Sequence, residues 1–227
     1  MSLYPSPNCG ERRGGAPPDL IVIHYTAMAS LEAARARLCD PAHEVSAHWL
    51  IGRDGRAEQL VDEGLRAWHA GAGAWGAVTD VNSRSVGIEL DNGGAEPFAA
   101  AQMAALERLL ADVMGRWGIP PERVIGHSDM APARKSDPGP RFDWRRLACA
   151  GLSVWPVAAA GRSGGRPVAF RDNARRFGYP DVAEDLILRA FRLRFRPWAT
   201  GPLDTVDGAL AADLAARFPV DGGDGSA

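Results

Sequence analysis

The sequence predicts an α/β domain followed by a small helical bundle, and three observations carry that expectation. Short apolar runs with β-branched residues, at 20–24, 85–90 and 123–125, alternate with helix-forming stretches. Residues 98–117 place Met103, Leu106, Leu110, Val113 and Trp117 at helical spacing. An Ala-, Gly- and Ser-rich stretch at 156–166 then precedes three helix-sized segments of different composition.

Residues 1–19, rich in Pro and Gly, are expected as an irregular arm, with the main domain over 20–155. Leu20 to His24 reads as a buried strand that delivers His24 at its C-terminal end. Ser30 is placed to cap a helix running to Leu38. His48 to Ile51 and Ala57 to Val61 flank Arg53-Asp54-Gly55, a hairpin in which Gly55 tolerates positive φ. Residues 70–84 are glycine-rich without a clean period and read as a long surface loop. In Ser85 to Leu90 the alternation sets Val86, Ile88 and Leu90 on one face, Gly87 and Glu89 on the other. The helix over 98–117 stops at Gly118, and Pro120-Pro121 leads into a short strand, Arg123-Val124-Ile125, that ends at the His127 loop.

After the 156–166 linker, the bundle is expected over 167–218. Phe170, Ala174 and Phe177 stripe its first segment; Val182, Leu186, Ala190 and Phe191 stripe the second. The third has Asp204 as N-cap, then Val206, Leu210 and Leu214. A bundle of ~50 residues is marginal alone, so docking on the larger domain is expected. Residues 219–227 are expected to fray.

The formal charge of -2 gives no electrostatic footprint for a nucleic-acid partner. With 46% apolar residues the chain can build its own core, and a monomer is expected. No apolar run approaches the ~20 residues that span a bilayer. The N-terminus as written lacks the basic and apolar regions of a signal peptide, which gives a cytoplasmic expectation; a leader removed earlier would give the cell envelope or periplasm instead. Cys9, Cys39 and Cys149 are odd in number and lack metal-site spacing, so free thiols are expected.

The chemistry concentrates in Gly126-His127-Ser128-Asp129 and in Lys135-Ser136-Asp137-Pro138-Gly139-Pro140. His127 stands at a strand-to-loop junction, and Asp137 in a Pro/Gly-rich loop. With one more imidazole they make the donor inventory of a catalytic metal site with an open position. His24, at the end of a buried strand, is one candidate, but spacing alone does not rank it above His48 or His69. His43 is expected at the surface. Lys135 is the only lysine in the chain, a compact ammonium where every other basic position is a bulkier guanidinium.

The run from Gly126 to Pro140, with Phe142-Asp143-Trp144, resembles the signature of the type-2 zinc N-acetylmuramoyl-L-alanine amidases, a family that includes phage amidase-lysozymes and animal peptidoglycan recognition proteins. Ile23-His24-Tyr25-Thr26, Ser46-Ala47-His48-Trp49 and Val86-Gly87-Ile88-Glu89 agree with it in order, over about residues 18–148. The resemblance implies a central mixed β-sheet flanked by helices. It implies one Zn²⁺ per chain, with His24, His127 and Asp137 as ligands, Glu89 as catalytic carboxylate and Lys135 as catalytic lysine. Some relatives carry cysteine where this chain has Asp137, so the donor set here is harder.

Two neutral imidazoles and one carboxylate leave such a site at net +1, which acidifies a bound water to a pKa of roughly 7 in favourable cases. Glu89, turned away from the apolar face of its strand, suits a base that takes the water proton and returns it to the leaving nitrogen. Lys135 suits the developing oxyanion. His48 and His69 are expected near the cleft, as hydrogen-bonding supports or substrate contacts. Tyr25, Trp68 and Trp75 are expected either to line the groove or to pack.

The tail, through Phe177-Gly178-Tyr179, Ala190-Phe191, Arg194-Phe195-Arg196-Pro197 and Gly201-Pro202-Leu203-Asp204, is similar to the three-helix peptidoglycan-binding module. A plain capping bundle is the alternative. The expected function is hydrolysis of the amide between the lactyl group of N-acetylmuramic acid and L-alanine of the stem peptide, in peptidoglycan polymer or soluble anhydro-muropeptides. A non-catalytic peptidoglycan recognition module is the competing class, against which the complete donor set stands. A structural zinc domain is the third, and three protein ligands beside a base argue against a closed site.

Overall fold

In the computed structural model, which describes residues 4–157 and 169–220, the apolar runs become a five-stranded mixed sheet. The strands are Cys9–Gly10 (β1), Leu20–Tyr25 (β2), Trp49–Ile51 (β3), Ala57–Gln59 (β4), Arg66–Ala67 (β5), Ser85–Leu90 (β6) and Val124–Gly126 (β7). β1 and β5 form a separate antiparallel ribbon. The other five run in the order β4-β3-β6-β2-β7, parallel except for the β3–β4 hairpin. β2 and β6 lie at the centre and are covered on both faces, which suits their apolar composition.

The helices are Leu31–Cys39 (α1), Val81–Arg84 (α2), Ala100–Trp117 (α3), His127–Met130 (α4), Trp144–Cys149 (α5), Phe170–Phe177 (α6), Glu184–Phe195 (α7) and Thr205–Arg217 (α8). Ser30 caps α1 by accepting from the Ala33 amide at 3.2 Å. Gly118, at φ 67°, ends α3 in the left-handed conformation and returns its N–H to Met114. None of the described helices is long and apolar enough to cross a membrane.

Two cores result. Ile21, Ile23, Val86, Ile88 and Leu90 pack one face of the sheet against Met103, Leu106, Leu110 and Val113 of α3. On the other face Leu20, Val22 and Ile125 join Trp75 and Met130, then run without a break into Phe170, Phe177, Ile187, Phe191, Phe195, Leu210 and Leu214 of the bundle. The bundle is docked, and its apolar stripes pack on the main domain as well as on each other. Cys9, Cys39 and Cys149 are free.

The structure corrects several sequence expectations. Residues 70–84 are not a surface loop: Ala70, Trp75, Val78 and Val81 are buried and α2 closes the segment. Trp75 packs edge-on against Phe177 and Tyr179 and lines no groove, because the docked bundle offers it a second layer. In α7 the buried stripe is Ile187, Ala190, Phe191, Arg194 and Phe195, one position on from Leu186, and Val206 is 43% exposed. Val220 is buried in the shared core, and its N–H donates to the Arg176 carbonyl. Most of the expected linker (158–166) and the rest of the expected tail (221–227) lie outside the described residues. In the arm, Arg12 is buried and donates to the carbonyls of Glu63, Ser83 and Ser85.

Candidate active site

Strand register assembles the site at the carboxyl edge of the parallel strands, where open α/β sheets bind ligands. His24 is paired with Glu89 across β2–β6, and Ile23 with Gly126 across β2–β7. His127 follows Gly126 directly and so begins α4 beside His24. The Ser128 N–H then donates to the Asp137 carbonyl at 2.8 Å, which draws the 136–140 loop over the same strand ends.

His24 Nδ1, His127 Nδ1 and Asp137 Oδ2 form a buried triangle with sides of 2.9, 3.0 and 3.1 Å. Hydrogen-bond accounting sets both tautomers. His127 Nε2 lies 2.8 Å from the Ala70 carbonyl, which only accepts, so Nε2 holds the proton and Nδ1 is bare. For His24 the chain is longer. Ser85 Oγ donates to the Val81 carbonyl at 2.5 Å, and therefore accepts from His69 Nε2 at 3.2 Å. His69 Nδ1 is left to accept from His24 Nε2 at 3.0 Å, which leaves His24 Nδ1 bare as well. Burial, then the neighbouring His127, lowers His24 to a pKa of about 4, so the ring is neutral near pH 7.

With both rings in these neutral tautomers, three lone pairs meet. That arrangement repels itself until a cation enters. A tetrahedral zinc with bonds of ~2.0–2.1 Å sets its ligand atoms ~3.3 Å apart, close to the spacing seen, and these three donors leave a fourth position open. The residues present fit the metal.

Glu89 is half-buried, with Oε2 buried and unpartnered. Burial, then the charge of Asp137, raises its carboxyl from 4.5 to about 8, with Lys135 opposing. A carboxyl poised near neutral pH can both take and return a proton. Lys135 is exposed, its chain held by an N–H bond to the Ala131 carbonyl, and its ammonium makes no ion pair among the described residues. Together these groups line a cleft of about 400 Å³, to which Tyr25, Trp68 and His69 also contribute. Tyr25 Oη sits 3.4 Å from Ser136 Oγ.

His48 is absent from the cleft lining. Its Nδ1 accepts from the Gly87 N–H at 2.9 Å and its Nε2 meets the Leu65 carbonyl at 3.0 Å, so it pins β6 behind His69. Gly87 matters for the same reason: a Cβ there would stand 2.4 Å from the His69 ring. His43 is exposed, near Asp40.

Sequence reasoning missed Arg134, whose guanidinium clamps the Ala70 and Ala72 carbonyls. It also missed the buried group of Asp129, Tyr179 and Arg194. One signal was available: Arg194 stands in the apolar stripe of α7, where a cation needs a partner.

A family model described as N-acetylmuramoyl-L-alanine amidase matches residues 14–140. The chain belongs to that family. It is 37% identical to the N-acetylmuramoyl-L-alanine amidase AmiD of Escherichia coli (strain K12), over 89% of this chain and 84% of that one. The solved complex of AmiD with the substrate anhydro-N-acetylmuramic acid-L-Ala-D-gamma-Glu-L-Lys matches with a TM-score of 0.82 at 34% identity, covering 93% of this chain and 98% of that chain. AmpDH3 from Pseudomonas aeruginosa, in complex with anhydromuramic pentapeptide, matches with a TM-score of 0.80 at 31% identity over 91% of this chain and 94% of its own. The 1,6-anhydro-N-acetylmuramyl-L-alanine amidase AmpD of Enterobacter cloacae is 35% identical, over 63% of this chain and 86% of AmpD. This amidase is a hydrolase of peptidoglycan turnover, and its α/β fold with packed C-terminal helices is that of AmiD.

Proposed function

We propose that this amidase works with one zinc ion held by His24 Nδ1, His127 Nδ1 and Asp137 Oδ2, and that soluble anhydro-muropeptides are its first substrates. The observation that carries the reading is the convergence of two bare imidazole nitrogens and a carboxylate oxygen, 2.9–3.1 Å apart, in the same cleft as Glu89. When bound, the cation supplies Lewis-acid polarisation and a readily deprotonated water.

Glu89 takes a proton from the water that attacks the carbonyl carbon. It returns that proton to the L-alanine nitrogen as the C–N bond breaks, so the products are a carboxylate and an amine. Lys135 brings a free ammonium to the oxyanion that develops on the carbonyl oxygen. Tyr25 and Trp68 offer ring faces to the sugar and lactyl groups. The Val81–Ser85–His69 chain keeps His24 in the tautomer that presents Nδ1.

Two solved relatives bound to anhydromuramic peptides support the soluble substrate. A second cleft, lined by Leu188, Leu193, Pro197, Pro202 and Leu203, lies next in sequence to Trp198, which is 71% exposed; it supports wall contact by the bundle as the second reading. Turnover of soluble fragments fits the cytoplasmic expectation, and turnover of sacculi the envelope. The test is release of L-alanyl peptides from soluble anhydro-muropeptides and from intact sacculi, before and after chelation and after zinc is returned. Activity that survives complete metal removal overturns the zinc reading, and untouched sacculi overturn wall binding by the bundle.

A further inference from the structure

We propose that the C-terminal bundle is part of the scaffold of the metal centre: Arg194 and Tyr179 are positioning residues that hold Asp129, and through it the turn that aims His127 and Asp137. The inference rests on the zinc reading above.

Asp129 is 0% exposed and lies two residues from His127. A carboxylate removed from water needs its oxygens met by donors. Gly126 N–H donates to Oδ2 at 2.8 Å, closing the β7–α4 junction around His127. The other two donors come from the bundle: Arg194 Nη1 reaches Oδ2 at 2.9 Å, and Tyr179 O–H reaches Oδ1 at 2.7 Å. Arg194 is itself 2% exposed. Its Nη2 donates to the Val124 carbonyl at 3.0 Å and to Ser153 Oγ at 3.2 Å, and its guanidinium lies 4.4 Å from the centre of the Trp144 ring. One side chain of α7 thus bolts together β7, α4 and α5.

α4 in turn carries one ligand and tethers the loop that holds another. His127 is its first residue, and the Ser128 N–H holds the Asp137 carbonyl. The junction has no slack: a Cβ at Gly126 would meet Pro138 Cδ at 2.7 Å and Trp144 Cζ2 at 3.2 Å. If Arg194 is lost, Asp129 keeps a buried charge with one cationic partner fewer, and α4 must shift toward water to relieve it. Three donor atoms within 3.1 Å of one another tolerate little shift, so cation affinity falls along with stability.

A second buried pair provides the control. Arg192 binds Asp207 and the carbonyls of Gly201 and Pro202, wholly within the bundle, and has no link to α4. Zinc affinity is measured by competition with a chromophoric chelator, and donor geometry by the visible spectrum of the cobalt-loaded protein. The set is the parent, Arg194→Met, Arg194→Lys, Tyr179→Phe and Arg192→Met, below the melting point of each.

Arg194→Met is expected to lose zinc affinity by ~10–100-fold, the range seen when supports of metal ligands are removed. Arg194→Lys recovers part of that loss, Tyr179→Phe shows a smaller loss in the same direction, and all three shift the cobalt bands. Arg192→Met melts earlier but binds zinc as the parent does. Parental affinity in Arg194→Met and Tyr179→Phe overturns the proposal, as does an equal loss in Arg192→Met. If Arg194→Met does not fold, Tyr179→Phe decides, since it removes one hydroxyl and keeps the ring. A parent that binds no zinc sinks the zinc reading and this proposal together; a parent that binds, with undisturbed variants, sinks only this one.

Discussion

Glu89→Gln separates the cost of keeping a base out of water from the benefit of having one. Burial, with Asp137 nearby, raises the Glu89 carboxyl from 4.5 to about 8 in the metal-free protein. The folded state therefore holds this proton more tightly than the unfolded chain does. The associated stability is fully present below about pH 4.5 and is lost as pH rises toward about 8. At ~1.36 kcal/mol per pH unit, burying Glu89 costs the metal-free fold on the order of 3 kcal/mol near pH 7, and somewhat more above pH 8. Glutamine has the same shape and no charge. Metal-free Glu89→Gln protein should match the parent in urea unfolding at about pH 5 and exceed it increasingly at about pH 7 and 8.5, other titrating groups cancelling in the comparison. The zinc-loaded variant should lose turnover by ~10²–10⁴-fold while still binding metal. A stability difference that does not grow with pH would refute the desolvated carboxylate, and near-parental turnover would place the base elsewhere.

Lys135→Met should keep zinc affinity and lower kcat by ~10²–10³-fold, as loss of one oxyanion donor does; steady-state kinetics that show only a KM change would move Lys135 to substrate binding. Gly87→Ala places a methyl within 2.4–2.6 Å of three His69 ring atoms, and should cost ~1–3 kcal/mol in chemical unfolding together with a loss of zinc affinity. Burial lowers His48 from 6.5 to about 3 and His24 to about 4. Because the unfolded chain binds these protons more readily, the stability they contribute is present above pH 6.5 and lost as pH falls toward 4, which urea midpoints of metal-free Glu89→Gln protein, free of the opposing Glu89 effect, will show across that range.

Two donors of the site were legible because local chemistry marks them, whereas His24 came from the family resemblance and not from spacing. His127 and Asp137 sit in a run of Gly, Pro and Ser that no packing rule requires, and Glu89 breaks the apolar alternation of β6 from the polar side. The supports were not legible, because register joins residues that spacing does not. His69, Ser85 and Val81 form one hydrogen-bonded chain only after β2 and β6 are laid side by side. Trp75 was ambiguous for a related reason: an aromatic in a glycine-rich segment is exposed or enclosed according to what docks over it, and here Phe177 and Tyr179 do. The stripes of α7 and α8 were placed to within one residue. A turn of about 100° per residue lets either Leu186 or Ile187 lead the stripe, and the shared core chooses Ile187.

The unbroken core that joins Leu20, Val22 and Ile125 to Phe177, Phe191 and Leu214 makes the protein a natural candidate for a split enzyme. Cut between 157 and 169 and produced as two polypeptides, each piece would expose an oily face whose complement exists only on the other. The halves should be poorly soluble apart and recover amidase activity when mixed, so that hydrolysis would report their encounter. A chain assembled from a free-standing catalyst and a detachable wall anchor would give the opposite result, a first half that works alone.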